Sequence, residues 1–172
     1  MWLAPKKDNS APVNRAWSAG ENMKIGIASD HAAFETKKFL VEALKKEGYE
    51  VIDFGPEVCK SVDYPDYAAK VGLALQERKI DRGILLCATG QGMNMAVNKF
   101  AKVRAALCND VYLARLAREH NDANVVTLGG RVVAKELAWE IVRIFLETPF
   151  QGGRHLRRVN KIQRLASQCY GE

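Results

Sequence analysis

A cysteine followed by a glycine-rich turn is the part of the sequence whose residue types are best suited to chemistry. Cys87 ends the apolar run ILLC, and the letters ATGQG lead from it into a helical pattern. Gly90 and Gly92 allow a ligand to approach the backbone closely, and N–H groups at the start of a helix can bind a phosphate or stabilise an oxyanion. A tight turn without a ligand explains the glycines equally well, and Cys87 fits either a packed apolar side chain or a reactive thiol.

A second polar loop follows the first predicted strand. Asp30 and His31 come directly after the run MKIGIAS. Asp30 is suited both to capping the helix that begins near Ala33 and to contacting a ligand, and His31 is suited to either solvent or a ligand. The other two histidines, His120 and His155, also lie in loops or at predicted helix ends, where side chains face ligand or solvent.

Basic residues are concentrated near the C-terminus. Arg154 and Arg158 are four residues apart, so on a helix they share a face and can clamp one dianion. A solvated helix, or a surface with weak affinity for polyanions, is the alternative. The cluster has no interleaved aromatic residues and no known nucleic-acid motif, which argues against specific binding of DNA or RNA. Its members are Arg154, Arg157, Arg158, Lys161 and Arg164.

Composition limits the class of protein. The 172 residues suit one domain, and the net charge of +6 suits an anionic partner such as a phosphorylated metabolite. No apolar run is long enough to span a membrane. The four cysteines lack CxxC and zinc-ligand spacing, and no secretory signal is present, so we expect free thiols in a reducing cytoplasm and no metal site.

Residues 1–22 differ in composition from the rest of the chain. They are rich in Pro, Ala, Ser and Asn and have no hydrophobic periodicity. We expect them to form a disordered extension before a single domain over residues 23–172. A targeting or partner-binding arm is the alternative interpretation.

Short apolar runs alternate with helical patterns from Met23 onward, which is typical of an α/β protein with a parallel sheet covered on both faces. Five strands and right-handed crossovers predict a doubly wound, Rossmann-like sheet in the order 2-1-3-4-5, with an extra C-terminal helix. The strands are predicted at about residues 23–29, 49–55, 82–88, 103–108 and 123–129, and the helices at about residues 33–47, 66–79, 92–100, 111–120, 135–147 and 154–168.

This strand order predicts where a ligand binds. Successive helices leave the sheet on opposite faces between strands 1 and 3, which opens a crevice at the carboxyl ends of these strands. The Asp30 loop and the Cys87 turn meet there. We therefore expect the functional site at this edge, with Asn94 on the following helix as a further lining residue.

Five motifs, taken together, resemble the ribose-5-phosphate isomerase B family, which includes related galactose-6-phosphate and allose-6-phosphate isomerases. They are IASDHAAF, VDYPDYA, CATGQGMNMAVNK, REHNDANVVTLGGR and GGRHLRRV. The resemblance extends from Met23 to about Leu165. It implies interconversion of ribose 5-phosphate and ribulose 5-phosphate through an enediolate, after ring opening and without a metal or an organic cofactor.

The resemblance also implies roles for individual residues. Cys87 resembles the base that moves a proton between C1 and C2, and Met93 stands where another branch of the family has a glutamate. His120 resembles the group that opens the furanose ring, and Asn121 resembles a sugar-binding residue.

Asp30 and Thr89 resemble groups that polarise the sugar oxygens. The backbone of Ala88, Gly90, Gln91 and Gly92 resembles an anion hole, although Ala88 is often glycine in relatives. Tyr64 resembles a residue bordering the sugar, and the phosphate-binding set is His31, Arg131, Arg154 and Arg158.

Strand topology leads to an expectation about assembly. Cys87 follows its strand, whereas His120 precedes strand 5, so the two lie near opposite edges of the sheet. We expect His120 and Asn121 to serve the site of a neighbouring subunit in a homodimer, or in a tetramer of such dimers.

Three other functions remain open: isomerisation of a hexose 6-phosphate, phosphate binding without catalysis, and thiol redox chemistry, for which no resolving cysteine lies nearby.

Overall fold

Five parallel strands form one twisted sheet in this computed structural model, which describes residues 23–170, with side chains up to Leu165. The sheet order is β2-β1-β3-β5-β4. Each strand lies where an apolar run predicts it, and the three central strands are almost entirely buried. The strands are β1 (Lys24–Ser29), β2 (Glu50–Asp53), β3 (Arg82–Cys87), β4 (Ala105–Leu107) and β5 (Val125–Gly129).

Helices cover both faces of the sheet. One hydrophobic core lies between the sheet and α1, α4 and α5, and a second lies between the sheet and α2 and α3. The C-terminal helix, α6, packs on α4. The helices are α1 (Phe34–Lys46), α2 (Tyr64–Gln76), α3 (Gln91–Val97), α4 (Val111–Asn121), α5 (Lys135–Glu147) and α6 (Arg154–Tyr170).

The predicted fold class is confirmed, but the predicted order of the last two strands is wrong. β5, and not β4, lies beside β3, and β4 forms the edge of the sheet. All five residues of β5 are buried, whereas β4 has three residues, each only partly buried. A fully buried strand requires a neighbour on each side, and a short, half-exposed strand suits an edge.

The exchange leaves the predicted crevice in place, because β1 still lies beside β3. The proposed extension over residues 1–22 lies outside the described residues. Within residues 23–170, no helix has both the length and the apolar character needed to cross a bilayer.

Candidate active site

The turn after β3 is held by the turn after β5. The carbonyl of Cys87 accepts a hydrogen bond from the Gly130 N–H at 2.8 Å, and the carbonyl of Ala88 accepts one from the Arg131 N–H at 3.0 Å. Both peptide groups are trans, so their N–H groups point away from these carbonyls. The N–H groups of Ala88 and Thr89 therefore both face away from β5, toward the side on which β1 lies.

These two N–H groups make no hydrogen bond within residues 23–170. Two successive donors on one side of the chain form a small concave site for an anion. The resemblance implies a larger anion hole, from Ala88 through Gly92. In the structure the Gly90 N–H donates to the Cys87 sulfur, and the Gln91 N–H lies 3.4 Å from the Thr89 hydroxyl.

The Cys87 side chain is buried at the end of β3, with 5% of its surface exposed. Its Sγ accepts the hydrogen bond from the Gly90 N–H at 3.1 Å. A donor at this distance can stabilise the negative charge that the sulfur carries when it acts as a base. The contact ties the orientation of the thiol to the conformation of the glycine turn.

The two glycines of the turn meet different requirements. Gly90 has φ of 81°, and a Cβ there would lie 2.8 Å from the carbonyl carbon of Leu128. Gly92 leaves room for an aromatic ring, since a Cβ there would lie 2.6 Å from Cζ of Tyr64. Tyr64 is the first residue of α2, and this contact brings its ring to the edge of the turn.

Asp30 lies on the opposite wall of the crevice. Its Oδ1 accepts hydrogen bonds from the N–H groups of Ala32 and Ala33, at 2.9 and 3.2 Å, so it caps the short turn at residues 31–33. Its second oxygen makes no hydrogen bond within the described part of the chain. The Asp30 N–H donates to the Leu86 carbonyl, one residue before Cys87. Capping and ligand contact, the two alternatives for Asp30, are thus compatible.

Four further side chains border or support this edge. His31 and Arg131 are exposed and lie in the turns that follow β1 and β5. Asn94 does not reach the crevice freely, because its amide donates to the Thr127 hydroxyl at 3.2 Å. Asn109 was not predicted from the sequence. Its Oδ1 accepts the Gly129 N–H at 3.1 Å, and Gly129 pairs with Cys87.

A second group of predicted site residues lies at the opposite edge of the sheet, where the strands begin rather than end. The rings of His120 and His155 stack with their centroids 4.2 Å apart and their planes 5° from parallel. Arg154 Nε lies 3.4 Å from Nε2 of His155. Burial lowers the pKa of His155, and His120, Arg154 and Arg158 act in the same direction, so His155 favours its neutral form. The prediction that the His155 side chain faces ligand or solvent is wrong, because the side chain packs against His120 and is 7% exposed.

The two groups of residues are separated within one chain. Cys87 pairs with Gly129 at the carboxyl end of β5, and Val125, four residues earlier, is about 13 Å away at the usual rise of a strand. His120 precedes Val125 on the chain. The structure brings together Asp30, His31, Tyr64, the turn from Cys87 to Gly92, and Arg131 at one edge, and His120, Asn121, Arg154 and Arg158 at the other.

No group of three or more His, Cys, Asp or Glu side chains within residues 23–165 is placed to hold a metal ion. The three cysteines whose side chains are described, Cys59, Cys87 and Cys108, are all free thiols.

The fold and this edge of the sheet define a class, an α/β protein in which a buried thiol lies beside a turn whose Ala88 and Thr89 N–H groups make no hydrogen bond within residues 23–170. The sequence profile of the family described as Ribose/Galactose Isomerase matches residues 25–162. The chain belongs to this family.

Individual relatives agree with the family. Ribose-5-phosphate isomerase B of Escherichia coli is 46% identical over 139 residues, which cover 81% of this chain and 93% of that protein. The solved structure of Clostridium thermocellum ribose-5-phosphate isomerase B is 50% identical, with a TM-score of 0.84, and the match covers 86% of this chain and 99% of that one. The Thermotoga maritima structure is 52% identical, with a TM-score of 0.82, and the match covers 84% of this chain and 99% of that one.

Proposed function

We propose that this protein interconverts ribose 5-phosphate and ribulose 5-phosphate at the crevice between the Asp30 loop and the Cys87 turn. One observation carries the proposal: a single turn holds the Cys87 sulfur beside the N–H groups of Ala88 and Thr89, which have no partner among the described residues. The names of the relatives in Escherichia coli, Clostridium thermocellum and Thermotoga maritima support ribose 5-phosphate as the substrate.

Cys87 acts as the base in the proposed mechanism. Its thiolate removes the proton from C2 of the open-chain aldose, and the electron pair moves to the C1 carbonyl oxygen to give an enediolate. The thiol then returns the proton to C1, the proton of the C2 hydroxyl passes to O1, and the electron pair left on O2 forms the C2 carbonyl. One base on one face of the sugar is sufficient, and a positioned base contributes roughly 10²–10⁴-fold to the rate. Met93, at the position of a glutamate in another branch of the family, cannot accept the proton.

The N–H groups of Ala88 and Thr89 stabilise the enediolate oxygen. Because both face the same side, they bind one oxygen together, and donors of this kind contribute roughly 10²–10³-fold each. The free oxygen of Asp30 and the hydroxyl of Thr89 position the sugar oxygens. Gln91 and Gly92 complete the backbone wall, with the Tyr64 ring against Gly92 closing one side of the pocket.

The phosphate is bound by exposed basic side chains from both edges of the sheet, with one set from each of two subunits. His31 and Arg131 come from the edge that carries Cys87, and Arg154 and Arg158 from α6. A dianion held away from the reacting carbons fixes the orientation of the sugar, and this binding energy is available to the proton-transfer step.

Ring opening is assigned to His120, with Asn121 binding the sugar beside it. Both lie at the edge opposite Cys87, so they act on the substrate of a second subunit. The protein is therefore proposed to form a homodimer, or a tetramer built from such dimers, with two equivalent sites at the interface. We place the protein in the cytoplasm, because free thiols such as those of Cys59, Cys87 and Cys108 persist in a reducing compartment.

Substitution of Cys87 is the direct test. Cys87→Ala should lose nearly all isomerisation of ribose 5-phosphate but retain binding of the sugar phosphate. The matched control is Cys59→Ala, which removes an exposed thiol and should retain activity. Undiminished turnover by Cys87→Ala would overturn the assignment of the base.

A panel of five-carbon and six-carbon sugar phosphates decides the substrate. The family description names galactose beside ribose, so a hexose 6-phosphate is the second candidate. Exchange of the C2 hydrogen with solvent deuterium, followed by NMR, separates catalysis from simple phosphate binding, because binding alone exchanges nothing.

A further inference from the structure

Asp122 has no part in the proposed mechanism, yet it is buried and both of its carboxylate oxygens are hydrogen-bonded. It follows Asn121 directly and is 4% exposed. Its Oδ1 accepts a hydrogen bond from the Arg118 guanidinium at 2.9 Å, and its Oδ2 accepts one from Arg104 at 2.8 Å. Arg104 also donates twice to the main-chain carbonyl of Asp122. Each carboxylate oxygen is thus held by a different arginine.

The backbone at Asp122 ends α4 abruptly. Its φ and ψ are 46° and 42°, in the left-handed region that most residues with a Cβ avoid. The Asp122 N–H still donates to the Arg118 carbonyl, and the Ala123 N–H donates to that of Ala117, which is the closing pattern of a helix C-terminus. The position of the final turn of α4, with His120 and Asn121, depends on this conformation.

The two arginines connect this turn to its surroundings. Arg118 donates to the carbonyls of Ala123 and Thr148, and Thr148 begins the segment that leads to α6. The Gln151 N–H in that segment donates to the Glu119 carbonyl. The end of α4 and the start of α6, which together carry the stacked His120 and His155, are therefore joined through one cluster.

The carboxylate of Asp122 contacts two of three neighbouring arginine side chains. Arg82 lies close to Arg104 and Arg118, and its buried Nε has no hydrogen-bond partner in the described part of the chain. Burial lowers the pKa of Arg82 to about 10, with Arg118 acting in the same direction and Asp122 opposing it. Removing the negative charge would leave three clustered guanidinium groups with Asp81 as the remaining carboxylate nearby.

We propose that Asp122, held between Arg104 and Arg118, is a positioning residue that sets the place of His120 and Asn121 for ring opening in the neighbouring subunit's site. This inference rests on the proposed function. It adds that the last turn of α4 is fixed by an ion-pair cluster on the same chain before any partner is met.

Asp122→Asn is the informative variant, because asparagine tolerates the left-handed conformation and keeps the shape of the side chain. The variant loses the charge and replaces one acceptor oxygen with an NH2 group that faces an arginine donor. The matched control is Asp110→Asn at the other end of α4, where Asp110 Oδ1 caps the helix by accepting the Leu113 N–H. Asparagine caps equally well, so this control should keep wild-type activity.

Two rates are measured for each variant. Ribulose 5-phosphate cannot close a furanose ring, because its C5 oxygen carries the phosphate. Exchange of its C1 hydrogen with solvent deuterium therefore needs Cys87 and the anion hole but no ring-opening group. In Asp122→Asn, conversion of ribose 5-phosphate should fall at least about tenfold, while this exchange, at saturating substrate, should stay within about twofold of wild type.

Equal loss of conversion and exchange would show a merely structural role and overturn the inference, and so would conversion within twofold of wild type. If Asp122→Asn does not fold, Arg104→Lys decides, because it keeps the charge but loses the forked contact, and the same split between the two rates is expected. Exchange that persists in Cys87→Ala would instead overturn the proposed function, and this outcome is distinguishable from the others.

Discussion

Gly90 shows how much of the site depends on a single Cα atom. Its backbone has φ of 81°, its N–H donates to the Cys87 sulfur, and its α-carbon lies against the backbone of Leu128 in β5. A larger residue would disturb the conformation, the contact with sulfur and the packing on the sheet together. The requirement for glycine is therefore steric as well as conformational.

Gly90→Ala should destabilise the protein and reduce activity. The left-handed conformation alone costs a residue with a Cβ about 1–2 kcal/mol, and the new Cβ would lie 2.5 Å from Cδ1 of Leu107 and 2.8 Å from the carbonyl carbon of Leu128. Since backbone cannot move aside easily, the free energy of unfolding in urea should fall by more than the conformational cost alone.

Gly48→Ala is the control for this measurement. Gly48 has φ of 87°, but a Cβ there would have no neighbour within 4 Å. It should lose only the conformational cost of about 1–2 kcal/mol and no activity. Equal losses for the two variants would contradict the steric explanation.

Single residues differ in how readily the sequence reveals them. Cys87, Gly90 and Gly92 were predictable because residue type and spacing carry the signal. The roles of Asp122 and His155 were not, because each depends on partners far away in the sequence, such as Arg104 and His120. A ring stack or a shared carboxylate arises only when helices pack.

At the scale of elements, strand and helix positions were predictable, and the neighbour of β3 was not. Apolar runs bounded by glycine and polar residues mark a strand locally. Which of the last two strands lies in the centre depends on burial from both sides. The sequence runs that contain β4 and β5 are both short and mostly apolar, so they do not distinguish the two strands. The length and burial of β5 decided the order.

The loop after β2 is joined to α1 by a buried lysine. Lys37 Nζ contacts both carboxylate oxygens of Asp53, at 2.8 and 2.7 Å, and the Pro56 carbonyl at 2.8 Å. The Gly55 carbonyl in this loop accepts the Ser29 N–H. Lys37 therefore helps to fix the end of β1, one residue before Asp30.

Lys37→Met should lower the free energy of unfolding by about 2–3 kcal/mol, because it leaves the Pro56 carbonyl and Asp53 without their cation. The value lies at the lower end for a broken buried pair, since the Asp53 side chain is 38% exposed. Chemical denaturation measures the change. Lys38→Met, at the exposed neighbouring position, is the control and should change stability little; equal effects in the two variants would show that burial of Lys37 is not the cause.

At the scale of the whole molecule, the proposed site residues lie at two edges of one sheet. The Cys87 group ends β3, and the His120 group precedes β5. If each active site takes one group from each of two subunits, a dimer of two defective chains can still contain one intact site.

Mixing Cys87→Ala with His120→Ala should therefore restore activity that neither variant has alone. In an equal mixture, random exchange of subunits makes about half of the dimers heterodimers. Each heterodimer has one intact site out of two, so activity should reach about a quarter of wild type. Mixing after mild denaturation and refolding, followed by the isomerase assay, measures this. No recovery, in mixtures shown by mass spectrometry to contain heterodimers, would place both groups in one chain's site.

The two hydrogen bonds between the turns after β3 and β5 have a consequence for the energetics of catalysis. The carbonyls of Cys87 and Ala88 accept hydrogen bonds from the main-chain N–H groups of Gly130 and Arg131, so the protein's own backbone fixes the direction of the two N–H dipoles. The cost of ordering these dipoles is met during folding, and little reorganisation remains for the chemical step. We therefore expect this part of the crevice to be preorganised, without induced fit, and any closure around the sugar to come from the partner's α6.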